Sequence, residues 1–229
     1  MHDIILGFAR AWLLLITGDQ DVWGTVFRSL LVSGLSTVAG CAVGIPVGAV
    51  VGLRRFRGKR GAVALLNLGM SLPPVVVGLV VYLLLSRSGP LGFMRLLFSL
   101  SAMVIAQTIL AAPLIAALTV SAVESVDRRA RMVALSLGAS DVRATLTLLG
   151  EARFALGAAV IAGFGAVISE VGAVMMVGGN IAGHTRVMTT AIVLETGMGQ
   201  FDVAIALGII LLLIALVVNF GLGFLQRWR

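Results

Sequence analysis

Five long apolar runs constrain this chain more than any other feature. They lie at about residues 24–52, 62–86, 97–123, 155–179 and 203–225, and each is bounded by charged residues or by Gly and Pro. A helix needs about 20 apolar residues to cross the hydrocarbon core of a bilayer. The runs lack the alternating polarity of membrane-spanning strands. The pattern predicts an all-α, polytopic membrane helical bundle with about five transmembrane helices, in one domain covering residues 1–229.

The composition excludes a soluble enzyme. Only 12% of the residues are charged and 59% are hydrophobic, whereas soluble domains carry about 25% charged residues. Cys41 is the single cysteine, so no intrachain disulfide forms. With only His2 and His184, no paired-histidine metal motif occurs, and we expect no bound metal or cofactor.

The basic residues predict the orientation. Twelve of the 17 lysines and arginines fall into three groups that a five-span topology places on one side. The groups are Arg54, Arg55, Arg57, Lys59 and Arg60; Arg128, Arg129, Arg131, Arg143 and Arg153; and Arg227 and Arg229. Positive loops stay on the cytoplasmic side, so we expect a multi-pass inner (cell) membrane protein with its N-terminus outside and its C-terminus cytoplasmic. Separated groups of this kind fit lipid contact and do not favour nucleic acid.

The two ends of the chain add smaller expectations. Ile4 to Thr17 is short and contains Arg10, so residues 1–20 are predicted to form an interfacial helix rather than a span. A sixth span is the alternative. The start lacks the features of a signal peptide, and we expect no fused domain after Arg229.

The segment 124–153 is predicted to be a cytoplasmic projection. Glu124 to Leu135 fits a helix that continues the third span or bends along the membrane, and Gly138 fits a break. Ser140 and Asp141 offer oxygen atoms that cap a following helix. Two short helices joined at a glycine form a rigid structure rather than a flexible loop.

Prolines and glycines within the spans predict local features of the helices. Pro73 and Pro74, with Ser71, predict a bend beside a pathway or a plain kink. Gly40, Gly44 and Gly48 recur at every fourth position, which favours close helix packing.

Polar residues within the spans are candidates for a pathway or gate. Glu170 would repel an anion, so a structural or gating role is expected for it, with Ser169 and Asn180 as hydrogen-bonding neighbours. Gln107 bonds helices together or lines the pathway. The hydroxyl groups of Thr185, Thr189 and Thr190 bind an oxyanion or satisfy nearby carbonyl groups. His184 and Arg186 follow a glycine-rich turn, where they attract an anion, contact a partner or anchor the interface.

Two segments resemble the membrane subunits of ABC-type importers. The cytoplasmic segment is similar to their coupling loop, with Ala134, Gly138 and Leu148 at matching positions. It departs from that pattern at Met132, Val133, Gly150 and Glu151. The block from Ser169 to Thr196 looks like oxyanion importers, most closely the tungstate-type branch, with the molybdate and sulfate permeases more distant.

The resemblance implies a type I ABC importer permease (MetI-like) fold and a set of partners. These are a second copy of the chain, two cytoplasmic ATPase subunits that bind ATP and Mg²⁺, and an extracytoplasmic oxyanion-binding protein. The chain itself has no phosphate loop: its nearest approach, Gly52 to Arg60, has the wrong glycine spacing and lacks the Ser or Thr that binds magnesium. The expected coupling residues are Ala134, Leu135, Ser136, Gly138, Ala139 and Ser140.

Two other functions remain open from the residues. An ion-coupled secondary transporter would use Glu170 as its ion site, although no inverted repeat is visible in the five runs. A membrane scaffold protein would use the cytoplasmic segment for binding without transport.

Overall fold

The protein is all-helical in a computed structural model that describes residues 8–9, 12–13, 16–54 and 56–227, and no strand occurs within them. Ten α-helices follow from residue 20 onward: α1 Gln20–Leu53, α2 Lys59–Met70, α3 Pro74–Leu85, α4 Leu100–Glu124, α5 Arg128–Ser136, α6 Asp141–Glu151, α7 Arg153–Ile168, α8 Gly172–Gly178, α9 Met188–Gly197 and α10 Phe201–Arg227. A 3₁₀ turn covers Gly92–Met94. The predicted interfacial helix at 1–20 lies largely outside the described residues.

Within the described residues, three helices are long and apolar enough to cross a membrane, judged by length and composition. They are α1, α4 and the part of α10 from Phe201 to Val218. These helices coincide with the first, third and fifth predicted spans. Two further spans are reached if each of two bent helix pairs counts as one.

The second predicted span, 62–86, is not one straight helix. It forms α2 and α3, which meet at an angle of 91°. Pro74 occupies the first turn of α3, where backbone N–H groups make no hydrogen bond within the helix, so the missing N–H of proline costs none. Pro73 precedes it with an extended backbone, φ −62° and ψ 122°. The bend that Ser71, Pro73 and Pro74 suggested is therefore present within the predicted span.

The fourth predicted span, 155–179, is also broken. Helix α7 ends at Ile168 and α8 begins at Gly172. No proline lies at this break. Instead, the side chain of Glu170 accepts hydrogen bonds from free amide groups at the start of α8. Upstream, α6 and α7 form the second bent pair, at 73°.

The chain divides into two compact units. Unit one comprises residues 1–36, 73–107 and 165–218. Its core includes Val32, Met103, Val174, Val177 and Met188. Unit two comprises residues 37–72, 108–164 and 219–229, and Ile115, Ala144 and Leu148 are among its buried side chains.

Glycines let two helices of unit two approach closely. A Cβ atom added at Gly40 would lie 2.9 Å from the Cβ of Ala111, and one at Gly44 would lie 2.7 Å from the carbonyl oxygen of Ala112. Gly48 meets the next turn of α4 in the same way. In a bilayer such small-residue contacts hold helices together, so the packing interpretation of this triplet agrees with the structure.

Candidate functional site

Unit two contains a capped helical projection at the predicted coupling segment. Asp127 starts α5 by accepting a hydrogen bond from the amide of Arg129 at 2.9 Å. Gly138 has φ +83°, which ends the turn after α5 in the left-handed region. The Ser140 hydroxyl then accepts from the amide of Arg143 at 3.4 Å and starts α6. The predicted break and cap are confirmed, although a separate helix begins at residue 128 instead of one running from Glu124.

The projection exposes apolar side chains. Leu137 is 82% exposed. Four more large apolar residues are exposed beside it: Met132, Val133, Val142 and Leu146. Ala144 and Leu148 are buried and attach α6 to its unit. Exposed apolar groups on a rigid element are typical of a surface that binds another protein.

The predicted coupling residues lie on this surface. Ser136, Gly138 and Ser140 are exposed, and Leu135 and Ala139 are half-buried. The side chain of Ala134 lies outside the described part of the chain. Leu137 is not among the predicted coupling residues, although its position as an apolar residue directly before Gly138 is a signal that identifies it.

The basic group after α1 is tied to the end of α4. Lys59 Nζ lies 2.8 Å from a carboxylate oxygen of Glu124 and donates to the carbonyl of Gly52 at 2.7 Å. Three helix ends of unit two therefore meet at one lysine. Because Glu124 is 43% exposed at its side chain, the ion pair contributes about 0–1 kcal/mol.

In unit one, Glu170 forms a cap at the broken fourth span. Its Oε1 atom accepts from the amide of Ala173 at 2.8 Å, and its Oε2 atom accepts from the amide of Val174 at 3.1 Å. The residue is buried. The amide groups at a helix start compensate a carboxylate by hydrogen bonding and by the helix dipole, so α8 itself supplies the partner that this buried charge requires.

Gln107 and Thr189 hold the same break from two sides. Gln107 Nε2 donates to the carbonyl of Val167 at 2.8 Å, and its Oε1 atom is buried with no partner. The Thr189 hydroxyl donates to the carbonyl of Glu170 at 2.9 Å. Ser169, at the exposed edge, donates to the carbonyl of Gly165 at 2.9 Å in its own helix. These contacts fix an interruption in the middle of an apolar segment.

The turn between α8 and α9 is also closed by side chains. The Thr185 hydroxyl donates to the carbonyl of Gly178 at 2.5 Å and accepts from the amide of Ile181 at 3.0 Å. Asn180 has φ +51°, and its Nδ2 atom donates to the carbonyl of Thr190 at 3.4 Å. The Thr185 and Thr189 hydroxyl groups are thus engaged with backbone, as one of their two interpretations required.

Helix α3 packs on α8 behind this break. A Cβ atom at Gly78 would lie 2.6 Å from the Cα of Ala173, and one at Gly172 would lie 2.5 Å from a methyl group of Val75. All eight pathway or gate candidates, Pro73 and Pro74 included, belong to unit one. The coupling residues belong to unit two.

Two charged residues of unit one were missed by the sequence analysis. Arg28, in α1, donates to the carbonyl groups of Arg186 at 3.1 Å and Gly183 at 3.2 Å. Glu195, in α9, is buried and lies 3.6 Å from a guanidinium nitrogen of Arg186. A charged residue within an apolar run is the signal that identifies Arg28. Glu195 lies between the fourth and fifth runs and follows the short apolar stretch 191–194.

Comparison with known proteins adds relatives of nearly full length. The tungstate uptake system permease TupB of Peptoclostridium acidaminophilum is 43% identical over 99% of this chain and 100% of its own length. TupB of Campylobacter jejuni is 39% identical over 96% of this chain and 92% of its own length. A solved chain of the inward-facing MetNI methionine ABC transporter has the same fold, with a TM-score of 0.75 and 19% identity over 91% of this chain and 96% of that one.

The predicted MetI-type permease fold is therefore confirmed. Residues 44–229 match a family model described as the binding-protein-dependent transport system inner membrane component. Members of this family are permease subunits rather than enzymes, as predicted. With several apolar helices, this is a multi-pass membrane protein, and the chain belongs to the family of binding-protein-dependent transport system inner membrane components.

Proposed function

We propose that this chain is the permease subunit of an ATP-driven importer for tungstate. The observation that carries the proposal is its similarity, over nearly the full length, to two tungstate uptake permeases. Molybdate is the competing substrate. Tetrahedral oxyanions of this kind differ little in shape, so selection between them is a difference of two affinities.

The proposed partners follow from this role. Two cytoplasmic ATPase subunits bind the projection and supply ATP and Mg²⁺, while this chain binds no cofactor. An extracytoplasmic binding protein delivers the anion, and a second copy of the chain completes the pathway within the lipid bilayer. The N-terminus faces outside and the C-terminus faces the cytoplasm, which places the basic groups inside.

Coupling is proposed to pass through the projection formed by α5, Gly138 and α6. Its contact surface comprises Ala134, Leu135, Ser136, Gly138, Ala139 and Ser140, together with the exposed Leu137. The caps at Asp127 and Ser140 make the projection rigid, so displacement by the ATPase moves it as a unit. Alternating access then follows from two positions of packed helices rather than from chemistry on this chain.

The gate is proposed to rest on the framework around Glu170. The carboxylate repels an oxyanion and is already held by α8, so it positions the broken segment and does not bind the substrate. Gln107 and Thr189 hold the backbone on either side of the break, and Thr185 closes the turn after α8. Pro73, Pro74, Ser169 and Asn180 complete this framework at the bend and at the turn.

Transport by reconstituted protein tests the proposal. The permease is placed in liposomes with its ATPase, and tungstate uptake is measured with and without ATP, binding protein and competing molybdate. We expect uptake only when ATP and binding protein are both present. Uptake by the permease alone under an ion gradient would favour a secondary transporter, and a complex that never moves an oxyanion would favour the scaffold.

A further inference from the structure

Unit one contains a small charged cavity that the proposed transport cycle does not use. Its volume is about 260 Å³, and it lies between the start of α1, the loop at 182–186, the end of α9 and the start of α10. Its charged lining consists of Asp19, Asp21, Arg28, Arg186 and Glu195. Pockets for whole small molecules measure about 300–1,000 Å³, so this cavity suits a single side chain.

The charges of the lining are mostly committed to the protein itself. Arg28 uses its three nitrogen atoms on two carbonyl groups of the 183–186 loop and on the Thr25 hydroxyl. Asp19 accepts from the amides of Asp21 and Val22 at 3.0 and 3.1 Å and caps α1. The Asp21 residue is exposed at the start of α1, and three carboxylates face two guanidinium groups. The cavity therefore has an acidic excess.

Two lining residues of this site, Glu195 and Arg186, each keep a buried polar atom without a hydrogen-bond partner. Glu195 is only 7% exposed, and its Oε2 atom has no hydrogen-bond partner. Arg186 lies 3.6 Å from the other oxygen atom, which is beyond a direct hydrogen bond. A buried carboxylate oxygen without a donor costs free energy. A positively charged donor entering from outside would remove that cost.

We propose that this cavity receives a lysine or arginine side chain of the extracytoplasmic binding protein, with Glu195 as the buried acceptor and Asp21 at the entrance. The inference rests on the proposed function, which places this end of α1 outside. The chain carries a net charge of +7, and in the proposed topology twelve of its 17 basic residues lie on the cytoplasmic side. An acidic cavity on the outer side therefore differs in charge from the cytoplasmic side and attracts a basic docking surface.

Other occupants fit less well. Among the described residues, no group of three His, Cys, Asp or Glu side chains has a metal-holding arrangement. An oxyanion would find one unpartnered donor, Nε of Arg186, but it would meet three lining carboxylates while the second guanidinium group, that of Arg28, is already engaged. A cationic side chain fits both the volume and the unpaired oxygen atom.

Docking to the intact permease–ATPase complex in lipid nanodiscs tests the inference. The probe is the purified, tungstate-loaded binding protein, and its Kd is measured for wild type, Glu195→Gln, Asp21→Asn and the control Asp202→Asn. Asp202 is in the first turn of α10 but does not line the cavity. We expect Glu195→Gln to raise the Kd at least about tenfold, mainly through faster dissociation. Asp21→Asn should slow association and reduce its salt dependence, while Asp202→Asn should stay within about twofold of wild type.

Double-mutant cycles then distinguish docking from a structural effect. Each lysine and arginine on the docking face of the binding protein is replaced by alanine and measured against wild type and Glu195→Gln. One of them should weaken docking to wild type and have no further effect on Glu195→Gln. Because Asp21 is exposed, its variant keeps the test available even if the Glu195 variant fails to fold.

Three results would overturn the inference: unchanged affinity of Glu195→Gln, additive cycles for every basic residue, or, if Glu195→Gln does not fold, unchanged docking of Asp21→Asn. If the binding protein still docks to the wild type, these results would leave the proposed function standing, because docking would then use another surface of the permease. Failure of the wild-type complex to bind the binding protein would remove both the inference and the proposed function.

Discussion

Replacing Glu170 with alanine should destabilise the protein, because both carboxylate oxygen atoms of this side chain cap the start of α8. The variant removes both acceptors of the α8 amide groups, at 2.8 and 3.1 Å. A hydrogen bond to a charged group contributes about 1.5–3 kcal/mol. Part of the cost of losing two such bonds is offset because the buried charge no longer needs desolvation. We therefore expect a net cost of about 2–4 kcal/mol.

Thermal unfolding of the purified permease in nanodiscs measures this cost. For a chain of this size, about 1 kcal/mol lowers the Tm by about 2–4 °C, so Glu170→Ala should lower it by about 4–16 °C. Glu170→Gln keeps one acceptor oxygen and should fall between the alanine variant and wild type. Ser169→Ala is the matched control, because Ser169 is exposed and bonds only within its own helix turn. If Glu170→Ala and Ser169→Ala unfolded within about 2 °C of each other, less than 1 kcal/mol would separate them and the capping argument would be refuted.

Three further predictions concern other parts of the chain. Gly48→Ala should lower the stability of the fold by about 1–3 kcal/mol through overpacking against α4, whereas Gly34→Ala, in the same helix with open space around it, should not. Equal Tm values for the two variants would contradict the close packing of α1 on α4. Ser140→Ala should cost about 1 kcal/mol as a lost helix cap, visible as faster amide hydrogen exchange in α6; unchanged exchange would show that the cap is unimportant. Gln107→Leu should change stability by less than about 1 kcal/mol, because it removes one hydrogen bond together with one unpartnered buried oxygen; if this stable variant lost tungstate uptake, Gln107 would be a pathway residue rather than a link between helices.

The sequence predicted straight spans well and broken ones poorly. The ends of α1 and α4 fall within a few residues of the predicted limits because long apolar runs bounded by charge leave little freedom. The break at Pro73 was foreseen as a bend, since proline removes a helix hydrogen bond. The break at Glu170 was not, because it depends on a carboxylate folding back onto amide groups three and four residues later.

The candidate functional residues likewise fall into those that local sequence identified and those whose contacts depend on tertiary structure. Local chemistry identified the projection, since Gly138 and Ser140 carry signals that act within a few residues. The contacts of Arg28 with the 183–186 loop join residues more than 150 positions apart, and no short pattern encodes such a pair. The partners of Thr185 and Thr189 likewise depended on tertiary structure, which is why two interpretations of their hydroxyl groups stayed open.

Coupling through the projection is tested by ATP-driven tungstate uptake of the Leu137→Asp variant in liposomes that contain the ATPase and the binding protein. Leu137 is 82% exposed, so the substitution should leave the Tm of the permease unchanged while placing a charge on the apolar surface of the projection. Thr147→Asp, also exposed on the projection, is the control. We expect Leu137→Asp to abolish uptake and the stimulation of ATP hydrolysis by the binding protein, and Thr147→Asp to retain both. Normal uptake by a correctly folded Leu137→Asp variant would contradict the claim that this projection couples the ATPase to transport.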